Sequence, residues 1–294
     1  MVKNLKPIRT VYLNGEWLPE DEAKVSIFDR GFLFADAVYE VTAIVDGKLF
    51  DCGSHFARLR RSLDTLGIAM PASECTLLDA HKEIARRNEV TEGLIYLQIS
   101  RGVQDRNFLM PDDLRPTIAM FTQAKRIRDN PKWDSGIAVR TSPDGRWALR
   151  QIKTTQLLYS SLQKSESVRQ GFDDVLFVED GYITESGSAN FHAITADGTL
   201  VTRQLSNALL HGTARRSILD IARATGLRVE ERALTLDEAR EASEAFITDS
   251  VGLLTPVVSI DRRQIGSGIP GPISKRLREL YIEAQLANGD SIAE

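Results

Sequence analysis

The stretch Arg150-Gln151-Ile152-Lys153-Thr154-Thr155, followed some thirty positions later by Tyr182-Ile183-Thr184-Glu185-Ser186-Gly187-Ser188-Ala189-Asn190, decides the reading of this chain. Lys153 offers an amine that can form an imine with a carbonyl group. Glu185 offers a carboxylate that can keep a heterocyclic nitrogen protonated. Cofactor chemistry at an amino carbon needs both kinds of group from a protein. Taken alone, the pair proves little, since most lysines are solvated and most carboxylates are ordinary surface charges.

Composition sets the bounds around this pair. With 294 residues, 42% of them apolar and 27% charged, the chain is too long for one ordinary core and suits two domains. The formal charge of -4 leaves no broad basic field of the kind that phosphate-backbone binding requires, so nucleic acid is not an expected partner. The first residues, Met1 to Arg9, lack an apolar signal core, and no later run approaches the roughly 20 apolar residues of a membrane span. A cytoplasmic protein without a membrane partner is expected. Cys52 and Cys75 form no CxxC pair, and His55, His81, His192 and His211 form no compact ligand motif, so no metal site is expected. Gly266-Ser267-Gly268-Ile269-Pro270-Gly271 satisfies GxGxxG, but too little chain follows it to complete a dinucleotide-binding unit.

Local patterns place the elements. Asn14-Gly15 and Asp46-Gly47 predict hairpins over 11–17 and 41–50. Phe56, Leu59, Leu63 and Leu66 share one face of a helix over 55–66, and 77–87 repeats the pattern. Strands are predicted over 94–100 and 116–122. The charged stretch Gln123 to Ser135, with Asn130-Pro131, reads as a linker between an α+β domain over 1–122 and a strand-rich α+β domain over 136–294. In the latter, Asp180-Gly181 and Asp197-Gly198 predict hairpins, and helices are predicted over 213–225 and 272–287.

The segment Asp29-Arg30-Gly31-Phe32-Leu33-Phe34-Ala35-Asp36-Ala37-Val38-Tyr39-Glu40-Val41 resembles the N-terminal signature of the class IV aminotransferases. Further segments match in order: His55-Phe56-Ala57-Arg58-Leu59, the Lys153 segment, Thr184 to Asn190, Leu210-His211-Gly212-Thr213-Ala214-Arg215, and Phe246 to Val257. The resemblance spans nearly the whole chain and is nearest to the D-amino-acid aminotransferases. It implies an α+β, fold-type IV enzyme of two domains with pyridoxal 5'-phosphate in the interdomain cleft, acting as a homodimer.

Roles follow from that resemblance. Lys153 is similar to the lysine that carries the cofactor and moves the substrate proton, and Glu185 to the partner of the pyridine nitrogen. Arg58 lies opposite the apolar stripe, so helical geometry alone gives a solvated arginine, whereas the resemblance implies a phosphate ligand. Gly212, Thr213 and Ala214 open a predicted helix whose N-H groups suit an anion. Ser250 resembles a further phosphate donor, and Leu210 and Ser188 resemble residues packed on the ring faces. For the substrate carboxylate, the family's tyrosine and Arg-x-His group correspond to Phe32 and to Arg106-Asn107-Phe108. Arg106 is kept, but two polar donors have become phenyl rings.

The implied reaction moves the amino group of a D-amino acid to a 2-oxo acid in two half-reactions. Phe32 and Phe108 also suit an (R)-selective amine:pyruvate transaminase. Branched-chain aminotransferases carry Tyr-x-Arg where this chain has Tyr96-Leu97-Gln98. Aminodeoxychorismate lyase and a catalytically silent binding protein share the scaffold.

Overall fold

A computed structural model describes residues 8–293, which divide into two compact units. The first takes the chain as far as Arg126, together with Lys153–Thr155 and the tail from Gly289. Its elements are β1 (Thr10–Leu13), β2 (Glu16–Pro19), α1 (Arg30–Phe34), β3 (Ala37–Val45), β4 (Lys48–Leu49), α2 (Cys52–Leu66), α3 (Glu74–Arg87), β5 (Gly93–Ser100) and β6 (Thr117–Ala124). Asn14 and Asp46 take positive φ, as do the glycines after them, which lets two residues close each hairpin with the twist its strands need. The apolar stripe of α2 packs Leu59 and Leu63 against β3, and Leu77 and Ile84 bury the corresponding face of α3.

The second unit contains α4 (Lys132–Ser135), β7 (Ile137–Pro143), α5 (Leu158–Arg169), β8 (Asp174–Glu179), β9 (Tyr182–Ser186), β10 (Asn190–Ile194) and β11 (Leu200–Thr202). It continues with α6 (Thr213–Ala224), β12 (Val229–Glu231), α7 (Leu236–Arg240), β13 (Glu244–Asp249), β14 (Leu253–Ile260), β15 (Arg263–Gln264) and α8 (Pro272–Asn288). Its sheet runs in the order β12-β11-β10-β13-β14-β7-β8-β9, with β15 on β14. The pairs β11/β12, β14/β7 and β7/β8 are parallel. Ile137, Val139, Leu176, Phe191, Ile247 and Val257 belong to its core.

The chain then returns to the first unit through β16 (Asp290–Ser291), which pairs with β4 and completes an antiparallel sheet in the order β16-β4-β3-β5-β6-β1-β2. Lys153–Thr155 joins the same sheet. Tyr39 N donates to Lys153 O at 3.0 Å, and Thr155 N to Ala37 O at 3.1 Å. The cause lies in strand length: β4 covers only the Ile44–Val45 end of β3, so the backbone groups near Ala37 need another partner.

The sequence reading places Lys153 in the later domain and treats 123–135 as a linker, and the compact units divide differently. β6 extends to Ala124, Ile127 is buried, and Trp133 is buried on α4 with its indole N-H donating to Gly252 O at 3.1 Å. Helix α5 has no counterpart in the sequence reading. Its buried residues are Ser160 and Ser167 while Leu158 and Leu162 are exposed, so it carries no apolar stripe. No helix among the described residues is long and apolar enough to cross a membrane.

His81 gives the first unit a pH dependence. It is buried on α3, donates through Nδ1 to Leu77 O at 2.6 Å, and meets the Phe56 ring edge-on. Burial, opposed by that hydrogen bond, pushes its pKa down to about 4. The folded imidazole therefore stays neutral at pH values where an unfolded one takes a proton. The stabilisation is complete above about pH 6.5 and is lost as the pH falls toward 4, an effect of about 3 kcal/mol. Denaturation curves between pH 4 and 7 should show this slope in the native protein, and His81→Gln should flatten it.

Candidate active site

In the first unit the Lys153 amine lies against an aromatic ladder. Lys153 Nζ is 4.1 Å from the centre of the Tyr39 ring. Tyr39 stacks on Tyr96 at 5.4 Å, and Tyr96 on Phe121 at 4.8 Å. These three rings come from adjacent strands, β3, β5 and β6, on one sheet face. Tyr96 Oη donates to Gln98 Oε1 at 2.8 Å, and burial raises the Tyr96 pKa.

Glu40, the next residue of β3, must point to the opposite face. There it meets α2. Arg58 Nε and Nη2 donate to its two oxygens at 2.8 and 2.6 Å, and His55 Nδ1 lies 2.7 Å from Oε2. Burial would raise the Glu40 pKa, but Arg58 and His55 together outweigh it and hold the carboxyl near 2. Arg58 is only 3% exposed, which corrects the solvated placement that helical geometry alone gives. A partner 18 positions earlier in the chain makes its burial possible.

Arg106 lies on the irregular segment between β5 and β6 and is exposed. Its guanidinium is 5.7 Å from the Phe34 ring centre and 5.2 Å from that of Phe108. Phe32 and Phe108 are 75% and 74% exposed. Within the signature, it is Tyr39 rather than Phe32 that the structure sets beside Lys153.

In the second unit Glu185 sits on β9, 3% exposed. One carboxylate oxygen pairs with Arg146 Nη1. The other accepts from Asn190 Nδ2 and from the Leu210 backbone N-H, each at 3.1 Å. Arg146 also donates to both oxygens of Asp144, at 2.9 and 2.6 Å, and lies over the Phe177 ring. Burial is the largest influence on Glu185 and moves its pKa up, against Arg146 and the Leu210 N-H.

Gly212 precedes α6 and offers its first turn no side-chain cap. A Cβ there would come within 2.1 Å of Asn190 Oδ1, so the backbone passes where no side chain fits. Asn190 thus has two tasks. Its Nδ2 also donates to Leu210 O at 2.9 Å, joining the Glu185 strand to the approach of α6. Thr213 and Ala214 are buried at the positive end of that helix. Ser250 is half-buried at the turn between β13 and β14, where Asp249 Oδ1 accepts the Val251 and Gly252 N-H groups. Ser188 is exposed and accepts from Lys164 Nζ at 3.1 Å, and Lys164 pairs with Asp174.

Within this unit the geometry brings Glu185, Leu210 and Gly212 together through Asn190. In the first unit it brings Lys153 to Tyr39, with Arg58 and Glu40 behind that strand. A cavity of about 570 Å³ beside α4 and α8, lined by residues including Arg128, Trp133, Arg278 and Glu283, contains none of the expected site residues. Sequence reasoning assigns no role to Tyr39, Glu40, Asp144, Arg146 or Asn190. Tyr39, Glu40 and Asn190 stand inside recognised motifs, and strand alternation is the signal that separates the first two. Asp144 and Arg146 have no such signal.

The donor set suits the cofactor. Asp144 lies between Arg146 and Arg150, whereas Glu185 has Arg146 as its charged partner and neutral donors on its second oxygen, a place that a protonated ring nitrogen could complement. Within the second unit, the N-terminus of α6 is the kind of place that suits a phosphate.

Comparison with known proteins agrees. Residues 37–260 match the family described as amino-transferase class IV. D-alanine aminotransferase of Bacillus licheniformis is 34% identical over 268 residues, 91% of this chain and 94% of that protein. That of Staphylococcus haemolyticus is 34% identical over 281 residues, 94% of this chain and 98% of that protein. Among solved structures, a T.th. branched-chain amino acid aminotransferase with pyridoxamine 5'-phosphate has a TM-score of 0.88, at 26% identity and 95% coverage of both chains. The same enzyme complexed with N-(5'-phosphopyridoxyl)-L-glutamate has a TM-score of 0.85, at 26% identity and 95% coverage of both chains. An α+β fold of this kind, relatives more than 30% identical over nine-tenths of the chain, and a family match across most of its length make this chain a member of the class IV aminotransferases, a pyridoxal-phosphate-dependent aminotransferase.

Proposed function

We propose that the protein transfers the amino group of a D-amino acid to a 2-oxo acid by a ping-pong mechanism. The observation that carries the donor class is the 34% identity to D-alanine aminotransferases across more than nine-tenths of the chain. The residue pattern supports it. Gln98 is neutral where branched-chain enzymes carry an arginine, and Arg106 keeps one positive charge for a carboxylate. Phe32 and Phe108, phenyl rings where the family carries polar donors, favour the second reading, an (R)-amine donor.

Pyridoxal phosphate, when bound, accepts the donor's amino group and delocalises the electron pair left at its Cα. Lys153 would hold the cofactor through Nζ before substrate arrives and, once freed, would act as the base that takes the proton from the donor's Cα. Tyr39 fixes the height of that amine above the first sheet. Glu185 keeps the ring nitrogen protonated, and the Asp144–Arg146 pair and Asn190 keep Glu185 in place. Arg58, Gly212, Thr213, Ala214 and Ser250 would hold the phosphate, with Glu40 and His55 orienting Arg58. Leu210 and Ser188 would pack on the ring. Arg106 receives the substrate carboxylate, with Phe32 and Phe108 beside it. A homodimer is supported by Val25, Ile27, Phe28, Phe32, Leu109 and Met110, exposed apolar side chains of the first unit.

Two experiments test the roles. Borohydride reduction of the holoenzyme should place the label at position 153, and Lys153→Ala should lose the visible absorbance of bound cofactor and about 10²–10⁴-fold in turnover. A label on another residue removes the assignment. Glu185→Gln should lower turnover about a hundredfold while cofactor stays bound, because the ring nitrogen loses its charged partner. Equal turnover in that variant excludes the role.

A donor panel separates the readings. Loss of the visible band in a single half-reaction should be fast with D-alanine and slow with L-leucine and (R)-1-phenylethylamine. A preference for the amine establishes the second reading, and parallel initial-rate lines with both substrates varied are expected for the ping-pong order.

A further inference from the structure

Arg30 is the largest fully buried side chain among the described residues, and the chemistry of the proposed reaction gives it no task. It opens α1, and its Nε donates at 2.7 Å to Asp36 Oδ2. Arg101 shares that carboxylate, with Nε at 2.7 Å from Oδ2 and Nη2 at 3.2 Å from Oδ1. One carboxylate thus serves two buried guanidinium groups. An excess positive charge in such a place needs further acceptors. Arg101 finds them at the end of α2, on Leu66 O at 2.7 Å and Gly67 O at 2.9 Å.

Arg30 finds them elsewhere. Its Nη1 donates to Gln104 Oε1 at 3.0 Å, to Asn107 O at 2.6 Å and to Leu109 O at 3.3 Å. The last two carbonyls flank Phe108 and follow Arg106 directly. Asn107 Oδ1 accepts the Leu109 N-H at 3.0 Å, closing a turn over Phe108. Backbone bonds fix the start of the same segment, from Arg30 N to Gly102 O at 2.8 Å and from Gln104 N to Phe28 O at 3.2 Å. The guanidinium also lies over the Phe34 ring, against which Arg106 is itself packed.

We infer that Arg30, oriented by Asp36, is a positioning residue for substrate recognition: it holds the 104–109 segment so that Arg106 presents its charge to the substrate carboxylate. This rests on the reading of Arg106 under the proposed function. The segment has no regular secondary structure between Gly102 and Arg115 beyond an isolated bridge, so its shape depends on such side-chain anchors. A lysine at position 30 keeps the charge but cannot reach Asp36 and two carbonyls at once.

The test is a double-mutant cycle on the holoenzyme. Arg106→Ala is expected to raise KM for D-alanine and 2-oxoglutarate about tenfold, as loss of a charge-assisted carboxylate contact should. Arg30→Lys should raise both KM values by a similar factor with kcat held, and adding it to Arg106→Ala should raise them no further. Amide hydrogen exchange should quicken across 106–110 in Arg30→Lys and stay unchanged in β3. Asn107→Ala, at an exposed position, gives a second variant that spares the buried charges, with the same KM rise and the same lack of additivity expected. Additive effects, or unchanged KM in both Arg30→Lys and Asn107→Ala, overturn the positioning role while leaving Arg106 intact. An unchanged KM in Arg106→Ala overturns the reading of Arg106 and the positioning role with it.

Discussion

The buried group of Asp144, Arg146 and Glu185 is the constraint on which the second unit's site depends. Taking a carboxylate out of water costs several kcal/mol unless charge and hydrogen bonds compensate. Arg146 supplies one positive charge to two carboxylates, and Arg150, 3.5 Å from Asp144, is engaged with Glu179. Glu185 is therefore held by neutral donors on its second oxygen, the Asn190 amide and the Leu210 N-H. Burial moves its pKa up, which is the direction expected of a carboxylate short of cationic partners. A protonated pyridine nitrogen would be a cation of the right kind to complement it.

In the first unit a single strand does two jobs by alternation. Tyr39 and Glu40 are neighbours on β3, and a pleated strand sends neighbours to opposite faces. Tyr39 receives the Lys153 amine, and Glu40 receives Arg58 and His55. The lysine reaches Tyr39 because Lys153–Thr155 pairs with the edge of β3 that the two-residue β4 leaves uncovered. The position of the Lys153 amine therefore follows from the backbone as much as from the side chain.

Much of this fold is legible in the sequence where the cause is local. Asn14-Gly15, Asp46-Gly47 and Asp180-Gly181 each adopt positive φ at a hairpin, and the helix over 55–66 shows its core face in its spacing. Features with distant causes are hidden. Arg58 sits at a polar position of its helix and is buried because Glu40 waits on another strand. Trp133 turns a charged stretch that reads as a linker into a packed part of the second unit. Residues 153–155 belong to the first unit through long-range backbone contacts that leave no mark on their own composition. Lys153 and Glu185 stand out through the family's motifs, whereas Asp144 and Arg146 belong to no motif and carry no pattern of their own.

Donor choice follows from a different part of the molecule than fold does. The chain superposes closely on branched-chain aminotransferases and yet has greater identity to D-alanine aminotransferases, because a shared scaffold carries both activities. The strands supply Lys153, Tyr39 and Glu185 whichever amino acid is bound. What can differ is the irregular segment between β5 and β6, where Arg106 stands beside two phenyl rings. A charge on such a segment is selective only if its place is fixed, since a mobile guanidinium spends binding energy on its own ordering. The buried Arg30–Asp36–Arg101 cluster meets that requirement from beneath, with the carbonyls of Asn107 and Leu109 as its acceptors. With Arg106 as the proposed carboxylate ligand, substitution of one exposed residue here would change the donor without disturbing the cofactor, whereas substitution beneath it would change the geometry of the whole segment.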